Sequence, residues 1–231
     1  MITMAEIEYR YEMKFVISEA TALMLKKQLR SVMELDSHSL SEDCSYLIRS
    51  CYFDDSYSSA YYDKIEGVEF RRKYRIRMYN NDPSFIKLEC KHKDENMTYK
   101  QDCRITRQIA EAIMNGQYAK IRSSNGFMQQ FLADAQANHL RPSIIVDYKR
   151  LAYTYPASEV RITFDEDLRS GRYDLNLFDP EMITFPMFPE KQLVLEVKCN
   201  NFIPDHILAI LNSVPKIRQA VSKFAACRSI K

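Results

Sequence analysis

The residues best suited to chemistry lie in the segment VEFRRKYRIRMY, residues 68 to 79. From residue 71 to residue 77 every second residue is a cation, and alternation with period two predicts a β-strand with two different faces. Neighbouring cations on one strand face stand ~6.6 Å apart, which is two backbone rises. At an effective dielectric of 20, each such pair repels by roughly 2.5 kcal/mol. A fold can tolerate this repulsion when an anion compensates it. The face comprises Arg71, Lys73, Arg75 and Arg77.

A second pattern puts carboxylates beside cations on the faces of other predicted strands. The segments EMK, ECK and EVK contain Glu12 with Lys14, Glu89 with Lys91, and Glu196 with Lys198. Other strand-face cations are Lys87, Lys100, Arg150 and Arg161. Arginine and lysine suit phosphate oxygens, whereas Mg²⁺ or Mn²⁺ takes one or two carboxylates plus phosphate oxygens. The pattern therefore favours a metal–polyphosphate site, and simple glutamate–lysine pairing remains the alternative.

These charged faces allow two interpretations. In an ordinary antiparallel sheet, the polar face points to water and the apolar face packs on a core. In a barrel, the charged faces line an interior that can hold a ligand. The second interpretation is favoured because at least six predicted strands share the pattern, and because a solvated face would normally avoid a row of like charges. It expects the alternate residues to face outward and pack: Phe70, Tyr74, Ile76, Met78, Ile86, Leu88, Cys90, Val160, Ile162, Phe164, Leu195 and Val197.

Composition narrows the class of protein. The chain has 231 residues, of which 46% are hydrophobic, and 33 basic residues nearly balance 31 acidic ones, so charge is segregated locally. No apolar run approaches a membrane span, and the start lacks a signal peptide, so we expect a cytoplasmic chain. The dispersed cysteines and histidines predict no disulfide framework or zinc site. None of the four glycines forms a phosphate-binding loop, so side chains must bind any phosphates.

The order of predicted elements gives the fold class. A strand over residues 6–17 precedes a helix that Ser18 caps and that runs to about Glu34. Further strands are predicted at 46–55, 68–79, 84–93, 98–106, 143–155, 158–167 and 191–200, with helical segments at 107–140 and 204–228. Short turns between strands predict antiparallel pairing and an α+β fold with a closed antiparallel β-barrel. We expect one domain over residues 1–231, with the barrel and its inserted helices in 1–200 and C-terminal helices in 201–231.

Several of these segments together resemble a known family. RYEMKF, YFDD, YYDKIEGVEFRRKYRIRMY, IKLECKHK, VRITFD, LVLEVKCN and RQAVSKF occur in family order along nearly the whole chain. They resemble the catalytic domain of the vacuolar transporter chaperone (VTC) polyphosphate polymerases, within the triphosphate tunnel metalloenzymes. The resemblance implies a β-barrel tunnel that binds ATP with a divalent metal, Mn²⁺ or Mg²⁺, and transfers the γ-phosphoryl group to a growing polyphosphate chain.

The resemblance also assigns residues. The family's phosphate-binding cations match Arg75, Arg77, Lys87, Lys91, Lys100, Arg150 and Arg161. Lys14 matches the basic residue of the family's first strand, and Glu196 matches its metal-binding glutamate. Lys223 matches a lysine on the helix that closes the tunnel. Arg218 is expected one helical turn before Ser222. Combined with the strand-face pattern, the predicted catalytic residues are Arg75, Arg77, Lys87 and Arg161. The predicted substrate-binding residues are Lys14, Arg71, Lys73, Lys91, Lys100, Arg150, Lys198 and Lys223. The predicted metal ligands are Glu196, Glu89 and Glu12.

One residue departs from the wider superfamily. Its hydrolases carry Glu-x-Glu-x-Lys on the first strand, and here Arg10 replaces the first glutamate. This favours the polymerase, although an inorganic or organic triphosphatase and a non-catalytic polyphosphate- or nucleotide-binding module remain alternatives. A transporter-coupled polymerase would associate with the membrane through an integral membrane partner. Nucleic acid is not expected as a partner, because the cations share faces with carboxylates and no base-stacking motif is evident.

Overall fold

The computed structural model describes residues 11–36, 45–94, 97–188 and 191–229. The strands in these ranges are β1 (Tyr11–Ser18), β2 (Glu34–Leu35), β3 (Tyr46–Asp54), β4 (Arg71–Tyr79), β5 (Asp82–Asp94), β6 (Met97–Ile105), β7 (Arg141–Tyr155), β8 (Val160–Ser170), β9 (Phe185–Pro186) and β10 (Gln192–Cys199). The α-helices are α1 (Glu19–Leu29), α2 (Ser59–Glu66), α3 (Arg107–Met114), α4 (Gly126–Ala137), α5 (Asp205–Asn212) and α6 (Lys223–Arg228). The predicted α+β class is confirmed. Residues 6–10, including Arg10, lie outside the described ranges.

The strands form one antiparallel sheet in the order β1-β10-β8-β7-β3-β4-β5-β6, with β2 added to β7 and β9 added to β8. The prediction of a closed barrel needs a correction, because among the described residues no hydrogen-bonded pairing joins the edge strands β1 and β6. The sheet nevertheless curls round until its two ends approach. The Lys91 ammonium on β5 donates to Glu12 Oε2 on β1 at 2.6 Å.

The outward face of the sheet is apolar and covered by helices. Ile76 and Leu88 are fully buried beneath a cluster that includes Phe131 of α4. Phe164 is buried with Leu25 of α1 in a second cluster, which also takes in α5. Almost all of the residues predicted to face outward are buried, which confirms that interpretation. Phe70 is the exception, since it precedes β4 and is 64% exposed.

Two helix predictions were wrong in their extent. The first helix is capped by Ser18 as predicted, but it ends at Leu29, because the chain turns back to bury Met33 and to pair Glu34 and Leu35 with β7. Around Pro215 the predicted C-terminal helix is interrupted over a longer stretch, and Arg218 forms a β-bridge with Phe15. Arg218 therefore shares no helix face with Ser222. A proline lacks the N–H that a continuous helix needs and restricts the residue before it.

The segment after β3, predicted only as a tyrosine-rich connection, contains α2 and none of its residues is buried. No helix within the described ranges combines the length and apolar character needed to cross a bilayer.

Candidate functional site

The cations of β4 lie on the concave face of the curled sheet. Their alternates Tyr74, Ile76 and Met78 are buried on the convex side. Arg77 is only 7% exposed, and its guanidinium points across the interior to the Tyr148 hydroxyl on β7 at 3.4 Å. The interpretation of these faces as ordinary solvated surface is therefore wrong, and the charged residues enclose a lumen.

One side of the lumen is organised around Glu89, which is 1% exposed. Its carboxylate accepts from Arg75 Nε at 2.6 Å and from the Lys100 ammonium at 2.6 Å, and Arg77 Nε lies 3.6 Å away. Burial alone would raise the pKa of Glu89, but Arg75, Arg77 and Lys100 outweigh it and hold the pKa well below its usual range. Glu89 is thus an ionised anchor that orients three cations. Lys87 joins them indirectly, through Asp102, at 3.1 Å.

A second group pairs Glu12 with Glu196. Lys14 lies 3.3 Å from Glu12 and 3.4 Å from Glu196. Lys198 lies 3.8 Å from Glu12 and 2.7 Å from Glu196, while Lys91 contacts Glu12 from the far end of the sheet. Burial would raise the pKa of Glu196, but Lys198 and Lys14 outweigh it and lower that pKa well below its usual range. Two ionised carboxylates therefore share two lysines.

A third group is centred on Asp165, which has no exposed surface. Arg150 donates to both of its oxygens, at 2.6 and 2.7 Å, and the Lys223 ammonium of α6 lies 2.5 Å away. Burial raises the pKa of Asp165, but Arg150 and Lys223 outweigh this and lower it to about 2. The helix α6 is thereby fixed to the lumen through a charged contact.

These three groups form a continuous ring. Arg77 links the Glu89 group to Tyr148, and the cations Arg150 and Lys223 lie over the Tyr148 ring at 5.3 and 4.9 Å. The same two cations lower the pKa of Glu196, so the Asp165 group is within electrostatic reach of the glutamate pair. Lys91, which contacts Glu12, lies on β5 two residues from Glu89 and so closes the ring. The predicted site residues thus converge on one lumen.

The chain's family follows from comparison with known proteins. Residues 9–230 match the model of the VTC domain. This chain belongs to the VTC domain family. A search of curated proteins found no match.

Two solved structures resemble the VTC domain described here. A candidate adenylyl cyclase from Hippeastrum with a dominant triphosphatase activity is 16% identical, with a TM-score of 0.57 and coverage of 96% of each chain. A candidate adenylate cyclase from Bacillus halodurans is 15% identical, with a TM-score of 0.50 and coverage of 90% of this chain and 87% of that one. At this identity the likeness shows the fold, and it agrees with the tunnel architecture.

Three predicted site residues lie toward the ends of the lumen of the VTC domain. Arg161 contacts Asp36 at 2.6 Å and donates to the Tyr46 hydroxyl. Arg71 begins β4 and donates to the carbonyl of Val68. The contacts of Lys87 run to Asp102 and to the face of the Phe85 ring. The catalytic roles predicted for Arg161 and Lys87 remain predictions.

Tyr148 is a lumen residue that the sequence prediction missed. Burial would raise the pKa of its hydroxyl, but Arg150 and Arg77 outweigh it and lower that pKa. The hydroxyl accepts from Arg77, and the Arg150 guanidinium lies over the face of the ring. The available signal was its position two residues before Arg150, on the same strand face. Asp165 could not be assigned to the site from the sequence, because its partner Lys223 on α6 is distant along the chain.

The donor set of the VTC domain fits a divalent metal only in part. Within the described ranges, no three acidic, histidine or cysteine side chains are clustered as a protein-only metal site requires. Glu12 and Glu196 suffice, however, for a hard ion that takes its remaining ligands from phosphate and water. Among the described residues, Glu89 shares no ion-pair partner with either of them and holds Arg75, Arg77 and Lys100 instead. This geometry favours an ion-pairing role for Glu89, and its predicted role as a metal ligand stays a prediction.

Anion binding in the lumen is expected to depend on pH because of Lys73. Burial, and then the nearby cations, lower its pKa to about 7; those cations are Lys91, Lys14, Arg71 and Lys64. Its ammonium lies 3.5 Å from the Ser222 hydroxyl. A bound polyanion favours the ammonium form and raises this pKa, so binding takes up a proton above pH 7. Affinity for tripolyphosphate should fall as the pH rises from about 7 toward the ordinary lysine value near 10.4, by up to about tenfold per unit.

Calorimetric titration of tripolyphosphate in EDTA between pH 6.5 and 9.5 measures this effect. Lys73→Arg is the matched variant, because a guanidinium stays charged throughout, and its profile should be flatter than that of the wild type. Ionisation of the ligand itself is common to both proteins and cancels in the comparison. Two profiles of equal slope would show that Lys73 does not titrate on binding.

Proposed function

We propose that this VTC domain is a metal-dependent polyphosphate polymerase that uses ATP. The observation that carries the proposal is the ring of cations around three buried carboxylates on one lumen. Such a ring repels itself when empty and is stabilised by a polyanion, and it offers cations at several successive positions along the lumen. A linear chain of phosphates matches that extended arrangement better than a single phosphate does.

The chain's own residues would act chiefly by positioning and charge neutralisation, which dominate phosphoryl transfer. Arg75, held by Glu89, presents a fixed guanidinium. Among the described residues, Arg77 makes polar contacts of 3.4 to 3.6 Å, so its guanidinium remains available to a phosphate. In the reaction, an oxygen of the terminal phosphate of the acceptor chain attacks the γ-phosphorus, the bond to the β–γ bridging oxygen breaks, and ADP leaves.

A divalent metal bound by Glu196 and Glu12 would neutralise charge on the phosphate oxygens. Lys14 and Lys198 hold both carboxylates in place. Lys100 and Lys91 add positive charge along β5 and β6, and Arg150 and Lys223 do so on the opposite wall. These assignments come from the geometry of the lumen and from the family resemblance.

A triphosphatase is the second candidate. The observation in its favour is the tunnel fold shared with the Hippeastrum protein, which has a dominant triphosphatase activity. The same ring of cations would bind the substrate, and water would replace the acceptor chain as the nucleophile. A binding module without turnover would use the ring alone and would not depend on metal.

Product analysis tests the proposal. The purified protein is incubated with ATP and Mn²⁺ or Mg²⁺, the products are separated on a polyacrylamide gel, and ADP and free phosphate are measured. A polymerase should release ADP and produce long anionic chains with little free phosphate. Free phosphate equal to ADP, without chains, would identify a triphosphatase, and no turnover would leave a binding module.

The matched variants are Arg77→Met and Lys149→Met. Both remove one cation, but Arg77 is buried in the lumen, whereas Lys149 is exposed on the outer side of β7. Chain synthesis should fall by about 100-fold or more in Arg77→Met and stay near the wild-type rate in Lys149→Met. Equal effects of the two substitutions would argue against chemistry in the lumen.

A further inference from the structure

The helix α6 packs an aromatic ring against the inner face of the sheet. Phe224 of this helix is 1% exposed, and it lies in one cluster with Tyr148 and Tyr52. The centre of its ring is 5.1 Å from that of Tyr52 on β3, and the two planes are tilted by 34°. Aromatic pairs at this separation attract each other beyond the area that they bury. The position of the Tyr52 ring therefore depends on the position of α6.

The Tyr52 hydroxyl connects this aromatic pair to a cation of the lumen. Tyr52 pairs in register with Arg75 on β4, and its hydroxyl accepts from Arg75 Nη1 at 2.9 Å. Glu89 contacts the same guanidinium at Nε and Nη2, at distances of 2.6 and 2.5 Å. A planar guanidinium that is held on two sides has a fixed orientation. Each terminal nitrogen of Arg75 carries more than one N–H group, so both can still donate to phosphate oxygens.

The two partners of Arg75 differ in charge, and their effects on it differ accordingly. The Glu89 carboxylate compensates the positive charge of the guanidinium in a site where an unpaired charge would be costly. The Tyr52 hydroxyl is neutral, so it contributes direction instead of charge. A hydrogen bond weakens steeply when its angle departs from linearity, whereas the attraction between a cation and a phosphate depends mainly on their distance. Loss of the hydroxyl would therefore change the orientation of Arg75 more than its attraction for an anion.

The helix α6 also supports the preceding cation of the inward row on β4. Lys73 Nζ lies 5.8 Å from the centre of the Phe224 ring and 3.5 Å from the Ser222 hydroxyl. One aromatic residue of α6 thus contacts Lys73 directly and Arg75 through Tyr52. A shift of this helix would change the surroundings of both cations together.

We propose that Tyr52 is a positioning residue for phosphoryl transfer. It fixes the guanidinium of Arg75 toward the transferred phosphate, and its packing on Phe224 makes that orientation depend on the placement of α6. Tyr52 acts through Arg75, so it is not itself a catalytic residue. The inference rests on the proposed function, because it requires a reaction in which Arg75 stabilises the transition state.

Tyr52→Phe tests the hydroxyl, because it keeps the ring that packs on Phe224. ADP release is measured over a range of ATP concentrations with Mn²⁺ or Mg²⁺ present. We expect kcat to fall about tenfold, because a misplaced group costs most in the transition state. The KM for ATP should stay within about twofold of the wild-type value, since the charge of Arg75 is retained. An unchanged kcat, or a loss confined to KM, overturns the inference.

Tyr118→Phe is the matched control for the loss of a buried tyrosine hydroxyl. Tyr52 and Tyr118 are both 8% exposed. The Tyr118 hydroxyl donates to the Leu140 carbonyl at 2.6 Å, and its ring belongs to the outward cluster that contains Phe131. This variant should keep the wild-type kcat and KM. An equal loss of kcat in Tyr118→Phe would reduce the effect of Tyr52→Phe to general destabilisation and overturn the inference.

Phe224→Leu tests the link between Tyr52 and α6. It removes the ring that packs on Tyr52 while keeping an apolar side chain of similar size. If both residues act through the orientation of Arg75, the double variant Tyr52→Phe/Phe224→Leu should have a kcat no lower than that of the slower single variant. Losses that multiply in the double variant would show independent effects and overturn the coupling to α6.

A measurement without turnover separates this inference from the proposed function. NMR of the protein carrying isotope-labelled arginine follows the guanidinium of Arg75, whose signals are assigned by their absence in Arg75→Lys. Rotation of this guanidinium should be slow in the wild type and in Tyr118→Phe, and faster in Tyr52→Phe. Unchanged Arg75 signals in Tyr52→Phe overturn the inference. A wild-type protein that makes no polyphosphate contradicts the proposed function instead, and the Arg75 signals still test the role of Tyr52.

Discussion

Replacing Glu196 by glutamine should lower metal-dependent turnover by about 100-fold or more, while metal-free binding of tripolyphosphate is kept or strengthened. The side chain is 3% exposed and ionised, and its two oxygens face Lys198 and Lys14. Glutamine keeps the shape but loses the charge that a hard metal ion needs. At the same time it removes one of the two carboxylates that Lys14 and Lys198 contact, so phosphate oxygens can take its place.

Steady-state rates across a metal titration, together with calorimetry in EDTA, separate these two effects. Glu166→Gln is the control, because Glu166 lies on the same sheet but pairs with Lys26 of α1, and it should behave like the wild type. Glu89→Gln tests the other carboxylate, and it should alter tripolyphosphate binding without changing the metal concentration needed for half-maximal rate. Loss of metal-free binding in Glu196→Gln would show that this glutamate maintains the lumen and does not hold the metal.

The sequence predicted the inward rows correctly wherever the period-two pattern is unbroken. On β4, the alternation of Arg75 and Arg77 with Ile76 fixes which side chains share a face, because a one-residue slip would place charges in the apolar core. The same reasoning holds for Glu196 and Lys198 on β10. Local pattern and tertiary packing agree at these positions, so the strand faces could be derived without coordinates.

The pairing of Glu12 with Lys14 and of Glu196 with Lys198 follows from their spacing on one strand. The pairs between strands could not be predicted, because they depend on the curl of the whole sheet and on a local irregularity. The register of β7 with β8 shifts between Asp147 and Lys149, and Asp167 on β8 adopts a left-handed backbone with φ of 46°. In a regular strand Leu168 and Asp165 would lie on opposite faces, because they are three residues apart. The bulge instead brings Leu168 into the cluster that contains Tyr148. No residue type in VRITFDEDLRS indicates such a shift.

The contact between β5 and β1 also could not be predicted from the sequence. Lys91 and Glu12 are 79 residues apart in the sequence, and they meet because the five strands that lie between β1 and β5 in the sheet curl with the observed twist. Likewise, the helix α6 contributes Lys223 through a ten-residue connection with little regular structure. The contacts of Lys91 and Lys223 depend on the topology of the fold. The sequence therefore indicated that these residues are cations of the site, but it did not indicate which carboxylates they contact.

Asp165→Asn should lower the free energy of unfolding by about 3 to 5 kcal/mol, because it removes the anionic partner of two buried cations. Arg150 binds Asp165 through two hydrogen bonds, and Lys223 holds α6 to it. Tripolyphosphate should stabilise the variant more than it stabilises the wild type. The ligand binds the folded state, and its oxygens can take the place of the missing carboxylate between Arg150 and Lys223. Urea unfolding with and without tripolyphosphate measures both effects.

Asp147→Asn is the matched control for this rescue. Asp147 is 5% exposed and accepts from Arg49 Nε at 3.0 Å and from its terminal nitrogen at 2.8 Å, so the chemistry of the pair is similar. Arg49, however, alternates with Ser50 on β3 and faces away from the lumen. Both variants should lose stability, but the added ligand should compensate only Asp165→Asn. If tripolyphosphate rescued both variants equally, or neither, the Asp165 group would be a structural ion cluster outside the path of the phosphate chain.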